Sequence, residues 1–600
     1  MKLSDYVIRY LAELGVKHIF MVPGGGAMHL NDSLGNCPGI EFVCNLHEQA
    51  SAIAAEAYAR VTNNLGVALF TTGPGGTNAV TGVAASWLDS TPCLFLSGQV
   101  KRADLMTGRG VRQMGVQEIN IIPIVKPITK YAITVIDPTS IRYHLEKAIH
   151  LSKTGRPGPT WLDIPLDVQA ATIEPDELIG FDATKEDESS APDMLRSQVA
   201  ETLAHLTRAQ RPVILAGNGI RLAGAVADFR VMAEQLGVPI LTTWLGIDLI
   251  PDNHPLFVGR PGSIAPRGAN FALQNSDLLI TIGARLDMAM VGYAYDRLAR
   301  AAKKVIVDID ANEIRKLNIH IDVPVCADAR DFIQEMLRQH KGCAPSGIDT
   351  WRTRCLQWKA NYPVVLPEHR NEMNHVSTFL FSETLSETLP EGAIIASMAA
   401  GACVEAFLLA FKVKEGQRIF HNRGTGSMGL ALPASLAACL ASGGKQTICL
   451  EADGGIQMNI QELETIVRMK LPIKIFVLNN GGYSSIRTSQ TRHFGRLTGA
   501  DASSGLTLPD TVRIAEAYGL LTDRIENPHQ LKDKLRKVLD SQGPVLCEVM
   551  VPPDEIRSPC LSSRQLPDGS MISPPLEDLW PFLPRQEFLE NMIIPPLENC

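Results

Sequence analysis

The sequence predicts an α/β protein built from three doubly wound parallel-sheet domains with an irregular C-terminal tail. Short apolar runs rich in β-branched residues alternate with helix-forming stretches along most of the chain. Continuous runs of this kind suit strands of parallel sheets covered on both faces. The alternation breaks twice, at the acidic stretch EPDELIGFDATKEDESSAPD and at the polar segment around KGCAPSGID. A length of 600 residues accommodates three or four domains at about 100–200 residues each. The blocks run over residues 1–170, 195–342 and 376–551, joined by an acidic linker at 171–194 and a second linker at 343–375. Residues 552–600, rich in Pro and Ser, are too irregular for another layer and are expected to lie over the body of the protein as a lid.

In chain order, MKLSDYVIRYLAELG sets Leu3, Tyr6, Val7, Leu11 and Leu14 on one side of a helix ended by Gly15, which reads as a folded helix and not as a signal peptide. HIFMV is a strand, followed by the turn Val22-Pro23-Gly24-Gly25-Gly26. Leu46-His47-Glu48-Gln49 leads into SAIAAEAYARV, whose alanines favour helix, with Glu48 in the first turn. Taken alone, a Glu there is a cap or a partner of the helix dipole. VALFTTGPGGTNAVTGVAASW repeats strand, Gly-rich turn and helix.

The second block opens on RPVILAGNG, whose Gly217 and Gly219 fit any Rossmann-like strand-to-helix turn, and closes near CADARDFIQEML. The third contains Asn422 to Gly429 ahead of LALPASLAAC, then TICLEADGGIQMNIQELETIVRMKLPIKIFVLNNGGY. Read as strand, helix, strand, this last segment closes its apolar runs with Asp453 and with Asn479–Asn480, so both point into one crevice. One carboxylate and one amide suit a hard cation such as Mg²⁺ that keeps positions for phosphate oxygens and water. Gly454 and Gly455 are expected to leave room for a phosphate. The plainer alternative is a β-α-β unit whose Asp and Asn cap turns.

A net charge of −8 provides no basic stripe for nucleic acid. No apolar stretch approaches the roughly 18–20 residues that span a bilayer. Twelve cysteines without a CxxC pair point to a reducing, cytoplasmic compartment.

The Asp453 segment resembles the diphosphate-anchoring motif of thiamine diphosphate enzymes, Gly-Asp-Gly followed further on by Asn-Asn, with Ala452 in place of the first Gly. That resemblance implies that Asp453, Asn480 and the carbonyl of Gly482 hold Mg²⁺ against the cofactor's diphosphate, with Gly454, Gly455 and Tyr483 beside it. The layout around Pro23, Gly24, Gly25 and Glu48 resembles the pyrimidine-binding domain of the same enzymes. Glu48 is then the activating glutamate, a carboxyl at N1′ of the aminopyrimidine that promotes loss of the thiazolium C2 proton. Met428 takes the place of the bulky residue beneath the cofactor, and the carbonyl of Gly426 receives the 4′-amino group; alone, Met428 would be a core methionine. Gln117 is a candidate contact for donor or acceptor, or else a loop residue. His47 is a candidate contact for the reacting carboxylate, or else only positions Glu48.

Together with GRPGP at Gly155 to Pro159, VQEI, SDLLITIGARLD and VDIDANEI, the three blocks resemble the pyrimidine, central and diphosphate domains of the acetohydroxyacid synthase and pyruvate oxidase group. In that group the central domain often binds FAD, which is structural in the synthases and an electron acceptor in the oxidases. Arg156, Gly217, Gly219, Arg285, Asp308 and Asp328 fall at matching or neighbouring positions. The group also implies a homodimer or homotetramer, with Glu48 and the metal site supplied by different subunits and the two domains of one chain not facing each other.

The acceptor is less constrained. Where the acetolactate-forming members have Pro-Lys-Asp, this chain has Pro165-Leu166-Asp167; Val116 replaces a Phe, and Gly481 to Ile486 replace a Gln-Gly-Met-Val region with its downstream Trp. VPGGGAMHLND, HEQASAIAAEAYAR, VGRPGS with ANFALQNSDLL, and NNGGYSSI resemble a sugar-pathway branch that adds an acetyl unit from pyruvate to a CDP-linked keto-deoxysugar, as in yersiniose-type branched sugars. The expected activity is thiamine diphosphate-dependent decarboxylation of pyruvate and carboligation to a ketone, a keto-sugar nucleotide among them. Acetolactate synthesis with a second 2-oxoacid, flavin-dependent pyruvate oxidation and simple decarboxylation are the alternatives. Glu48 argues against a glyoxylate carboligase, and Glu48, Met428, Asp453 and Asn480 together argue against a non-catalytic relative.

Overall fold

The computed structural model describes the chain except for residues 186–191, 341–344, 346, 399–400, 566–567, 569–570 and 598–600. The middle of the acidic linker and most of KGCAPSGID therefore lie outside the described residues. Three six-stranded sheets succeed one another, all with parallel pairs. The first comprises β1 (His18–Met21), β2 (Glu41–Cys44), β3 (Gly66–Phe70), β4 (Cys93–Gln99), β5 (Tyr131–Thr134) and β6 (Pro159–Pro165). The second comprises β7 (Pro212–Ala216), β8 (Ile240–Thr242), β9 (Phe257–Gly259), β10 (Leu278–Ile282), β11 (Lys303–Asp308) and β12 (Val323–Cys326). The third comprises β13 (Ile394–Ser397), β14 (Arg418–Phe420), β15 (Thr447–Ala452), β16 (Ile473–Asn479), β17 (Leu521–Ile525) and β18 (Val545–Met550).

The outer two sheets share one topology, β2-β1-β3-β4-β6-β5 and β14-β13-β15-β16-β18-β17. The central sheet, β12-β11-β10-β7-β8-β9, has the order of a dinucleotide-binding sheet. β3, β4, β6, β7 and β10 are buried at every residue, as continuous apolar strands covered on both faces must be.

The first and third sheets share one core within a single chain. The helix Glu48–Thr62 is buried along most of its length and packs on the Ala-rich helix Ala431–Ala441. Phe70, Phe95 and Trp161 join Ile475 and Val477 in that core. The expectation that these domains of one chain do not face each other is thus corrected: small side chains on both helices let them approach closely.

The second linker carries the helix Ile348–Asn361, which buries Trp351, Cys355 and Trp358 with Phe271 and Leu273 of the central domain. The tail lies along the same face as a strap. Arg267 donates to the carbonyls of Leu579 and Pro581, Gln274 to Glu577, and Asn270 to the carbonyl of Leu576. Asn591, in the helix Arg585–Asn591, accepts from Trp358 Nε1 at 2.7 Å. Buried amide and guanidinium groups thus satisfy the tail carbonyls of Leu576, Leu579 and Pro581. Among the described residues no helix is long and apolar enough to cross a membrane.

Candidate active site

The parallel register pairs Ala452 with Leu478, so the residues that follow, Asp453 and Asn479–Asn480, leave the carboxyl ends of β15 and β16 side by side. Asp453 accepts from the backbone N–H of Gly454 at 2.8 Å and of Gly482 at 2.9 Å. Burial pushes its carboxyl up to about 6 in spite of these N–H groups. Asn480 is buried and donates through Nδ2 to Ser484 Oγ at 3.2 Å and to Cys403 Sγ at 3.5 Å. Its Oδ1, equally buried, has no partner among the described residues. An unsatisfied buried oxygen costs about 1–3 kcal/mol, and a carboxylate beside a bare amide oxygen is a donor set that suits Mg²⁺. Among the described residues no group of three His, Cys, Asp or Glu side chains gathers as a metal centre, so a cation here would take its remaining ligands from elsewhere.

The glycines of this crevice have a different reason from the one expected. A Cβ on Gly454 would stand 2.4 Å from the Tyr483 ring, and one on Gly455 would stand 2.4 Å from Glu451 Oε2. Room at these positions is taken by protein side chains. Gly482 has φ +139°, and a Cβ there would meet the carbonyl of Ala500 at 2.4 Å.

Glu48 begins its helix behind His47, the N-cap, whose Nδ1 accepts from Gln49 N–H at 3.1 Å. His47 therefore has a structural task in place. Glu48 is buried, and its Oε2 accepts from Asn78 Nδ2 at 3.0 Å. Asn78 belongs to the helix Pro74–Leu88. The chain just before Glu48 is fastened to the third domain, where Glu462 accepts from Asn45 Nδ2 and Leu46 N–H, both at 2.8 Å. Glu48 itself bonds Asn78 and no residue of the Asp453 crevice. The Pro23-Gly24-Gly25 turn rests on Thr71: Gly26 N–H donates to its hydroxyl at 3.1 Å, and a Cβ on Gly24 would stand 2.4 Å from its Cβ. Pro23 and Gly25 are exposed.

Gln117 is exposed, at φ +62°, on a loop whose shape is set by its neighbour. Glu118, buried, accepts from the N–H groups of Met106, Met114 and Gly115.

The loop Asn422 to Gly429 is held from within by Asn422 Oδ1, which accepts from Thr425 N–H at 3.0 Å, and from outside by Asp89, which accepts from the N–H groups of Arg423 and Gly424. Gly426 has φ +62°, and Met428 is half-buried.

A cleft opens at the central sheet, with about 1130 Å³ of space between atoms when open solvent is included, where the strand order reverses between β7 and β10, the location at which open α/β sheets bind ligands. Arg156, Gly219, Arg285, Asp308 and Asp328 line it. Gly217 does not: a Cβ there would lie 2.1 Å from the carbonyl of Gly283, so this glycine serves contact between two loops. Arg156 pairs with Asp310 and Glu313, Asp328 caps the helix Ala329–Gln339, and burial raises the Asp308 carboxyl above the usual range. Trp244 and Arg423, whose guanidinium lies 4.6 Å from the Trp244 ring centroid, also line the cleft. Arg423 lies within the Asn422 to Gly429 motif, but no sequence signal singles it out as a site residue, nor Trp244, Asn78, Asp89 and Glu462, because each acts through a partner remote in sequence.

Family profiles match all three blocks: the thiamine pyrophosphate enzyme N-terminal TPP binding domain over residues 1–124, the central domain over 199–336 and the C-terminal TPP binding domain over 399–549. The acetolactate synthase large subunit of Lactococcus lactis is 31% identical over 92% of this chain and 93% of its own length. The corresponding subunit of Corynebacterium glutamicum is 32% identical over 93% and 88%. The isozyme 3 large subunit of Escherichia coli is 31% identical over 90% and 92%. The chain belongs to the thiamine pyrophosphate (thiamine diphosphate) enzymes, within their acetolactate synthase-like carboligases.

Proposed function

We propose that this enzyme decarboxylates pyruvate and transfers the two-carbon unit to a ketone, with a nucleotide-linked keto-deoxysugar as the leading acceptor. The observation that carries the chemistry is the unpartnered, buried Oδ1 of Asn480 beside the Asp453 carboxylate. These two atoms, with the carbonyl of Gly482, would hold Mg²⁺ and through it the cofactor's diphosphate. Thiamine diphosphate supplies the electron sink for decarboxylation and carboligation. The chain's own part is to orient and to move protons: Asn78 fixes the Glu48 carboxyl, which would exchange a proton with the aminopyrimidine. Gly426 and Met428 would shape the cofactor from the loop Asn422 to Gly429. Because Glu48 bonds within its own domain, the reading includes a homodimer or homotetramer in which a second subunit supplies the facing metal site.

The central cleft would take FAD. Its place at the strand-order reversal suits a dinucleotide, and Arg156 and Arg285, each paired with carboxylates, stand on its wall. A large acceptor needs an open mouth, which the small residues Gly481, Gly482, Ser484 and Ser485 would leave beside the metal crevice.

A second reading, acetolactate synthesis from two pyruvates, is favoured by the names of the relatives. The rate of CO₂ release separates the two. With thiamine diphosphate, Mg²⁺ and FAD, release from pyruvate should be slow alone and accelerate with consumption of an added CDP-linked keto-deoxysugar. A rate that is fast alone and indifferent to the sugar nucleotide would reject the keto-sugar acceptor.

A further inference from the structure

We infer that Asp89 is a positioning residue that couples occupancy of the central cleft to the loop expected to hold the thiamine ring. The inference rests on the reading of that cleft as a dinucleotide site.

Asp89 closes the helix Pro74–Leu88, the same helix that carries Asn78 against Glu48. Its carboxylate is fully buried and has partners on three sides. Arg60 Nη2 donates to Oδ2 at 2.7 Å. Arg423 N–H donates to Oδ2 at 3.1 Å and Gly424 N–H to Oδ1 at 3.0 Å. Arg285 Nη1 lies 3.6 Å from Oδ1 and donates to the carbonyl of Leu88. Arg60 stands on the helix that Glu48 opens, donates also to Glu56 Oε1 at 2.7 Å and reaches the carbonyl of His421 at 2.9 Å. Gly424 fits only as glycine, since a Cβ would stand 2.4 Å from Leu88 Cβ and 2.8 Å from Asp89 Oδ1.

Asp89, Arg285 and Arg423 all line the central cleft. One carboxylate is therefore wall to the cleft, anchor to the base of the Gly426–Met428 loop, and counter-ion to the helix of Glu48. A dinucleotide seated in the cleft excludes water from the Arg285 guanidinium, the one partly exposed member (21%) of the pair with Asp89. Charge interactions strengthen as water leaves, so the loop N–H groups bound to the same carboxylate are held more firmly. Binding that orders a shared element lowers the cost of the second binding event, and the coupling is reciprocal.

The experiment is calorimetric titration of the cofactor-stripped, full-length enzyme with thiamine diphosphate in Mg²⁺, with and without saturating FAD. Wild type should bind thiamine diphosphate about five-fold or more tightly with FAD present, and FAD should gain by the same factor. In Asp89→Asn, whose amide would face the N–H of Gly424, that ratio should fall to about one. A merely structural role would weaken both titrations equally and leave the ratio intact. Should Asp89→Asn fail to fold, Arg285→Met keeps the loop N–H bonds to Asp89 and removes the guanidinium with its bonds to the Leu88 carbonyl and Asp287. It should bring the ratio, taken at saturating FAD, to about one. A wild-type ratio of one, or an unchanged ratio in the Arg285 variant, overturns the inference. Failure of FAD to bind wild type overturns the dinucleotide reading with it, whereas binding without coupling overturns this inference alone.

Discussion

Glu48, Asp453 and Asn480 could be read from the chain because each sits where a run of one character stops: Glu48 where an alanine helix starts, the other two where β strands end. Their supports could not. Asn78 and Glu462 hold the start of the Glu48 helix from positions that no periodicity connects to it. The glycines after Asp453 were read as space for phosphate, yet they make room for Tyr483 and Glu451. Glu48→Gln, nearly isosteric, should lower turnover by about 10²-fold or more while the thermal midpoint stays within error; undiminished turnover would remove Glu48 from its role. Asn480→Ala takes away the unpartnered oxygen and should weaken Mg²⁺-dependent binding of thiamine diphosphate by ten-fold or more, on the order of 1.4 kcal/mol. Unchanged affinity in calorimetry would show that Oδ1 is not a ligand.

At the scale of elements, the loop Asn422 to Gly429 starts from a strand end that packs His421 fully inside the protein. Burial holds its imidazole down to about 4, and its Nδ1 has no partner among the described residues. The unfolded chain, with an ordinary value near 6.5, takes up the proton first, so the folded state loses stability as pH falls from 6.5 towards 4, by up to about 1.4 kcal/mol per pH unit. Denaturation midpoints measured at pH 7.5 and 5 should differ more for wild type than for His421→Gln; equal differences would exclude this histidine as a source of acid sensitivity. The tail's Pro and Ser content indicated the absence of a further layer, but not the side chains of the central domain that bind it, Arg267, Asn270 and Gln274, which look like ordinary helix residues.

For the whole molecule, the alternation of strands and helices was enough to predict three parallel sheets, because a strand buried on both faces must be apolar throughout. The packing of the first sheet on the third was not legible, since an alanine-rich face announces close contact without naming its partner. Assembly is testable at this scale: light scattering should find a dimer or tetramer, and an active monomer would remove the second subunit from the proposed site. The most direct measurement of the account is NMR of products formed from ¹³C-pyruvate by the purified enzyme with thiamine diphosphate, Mg²⁺ and FAD and no other acceptor. Slow CO₂ release with little acetolactate is expected, from an activated donor lacking its ketone. Rapid accumulation of acetolactate would contradict it and make a second pyruvate the acceptor.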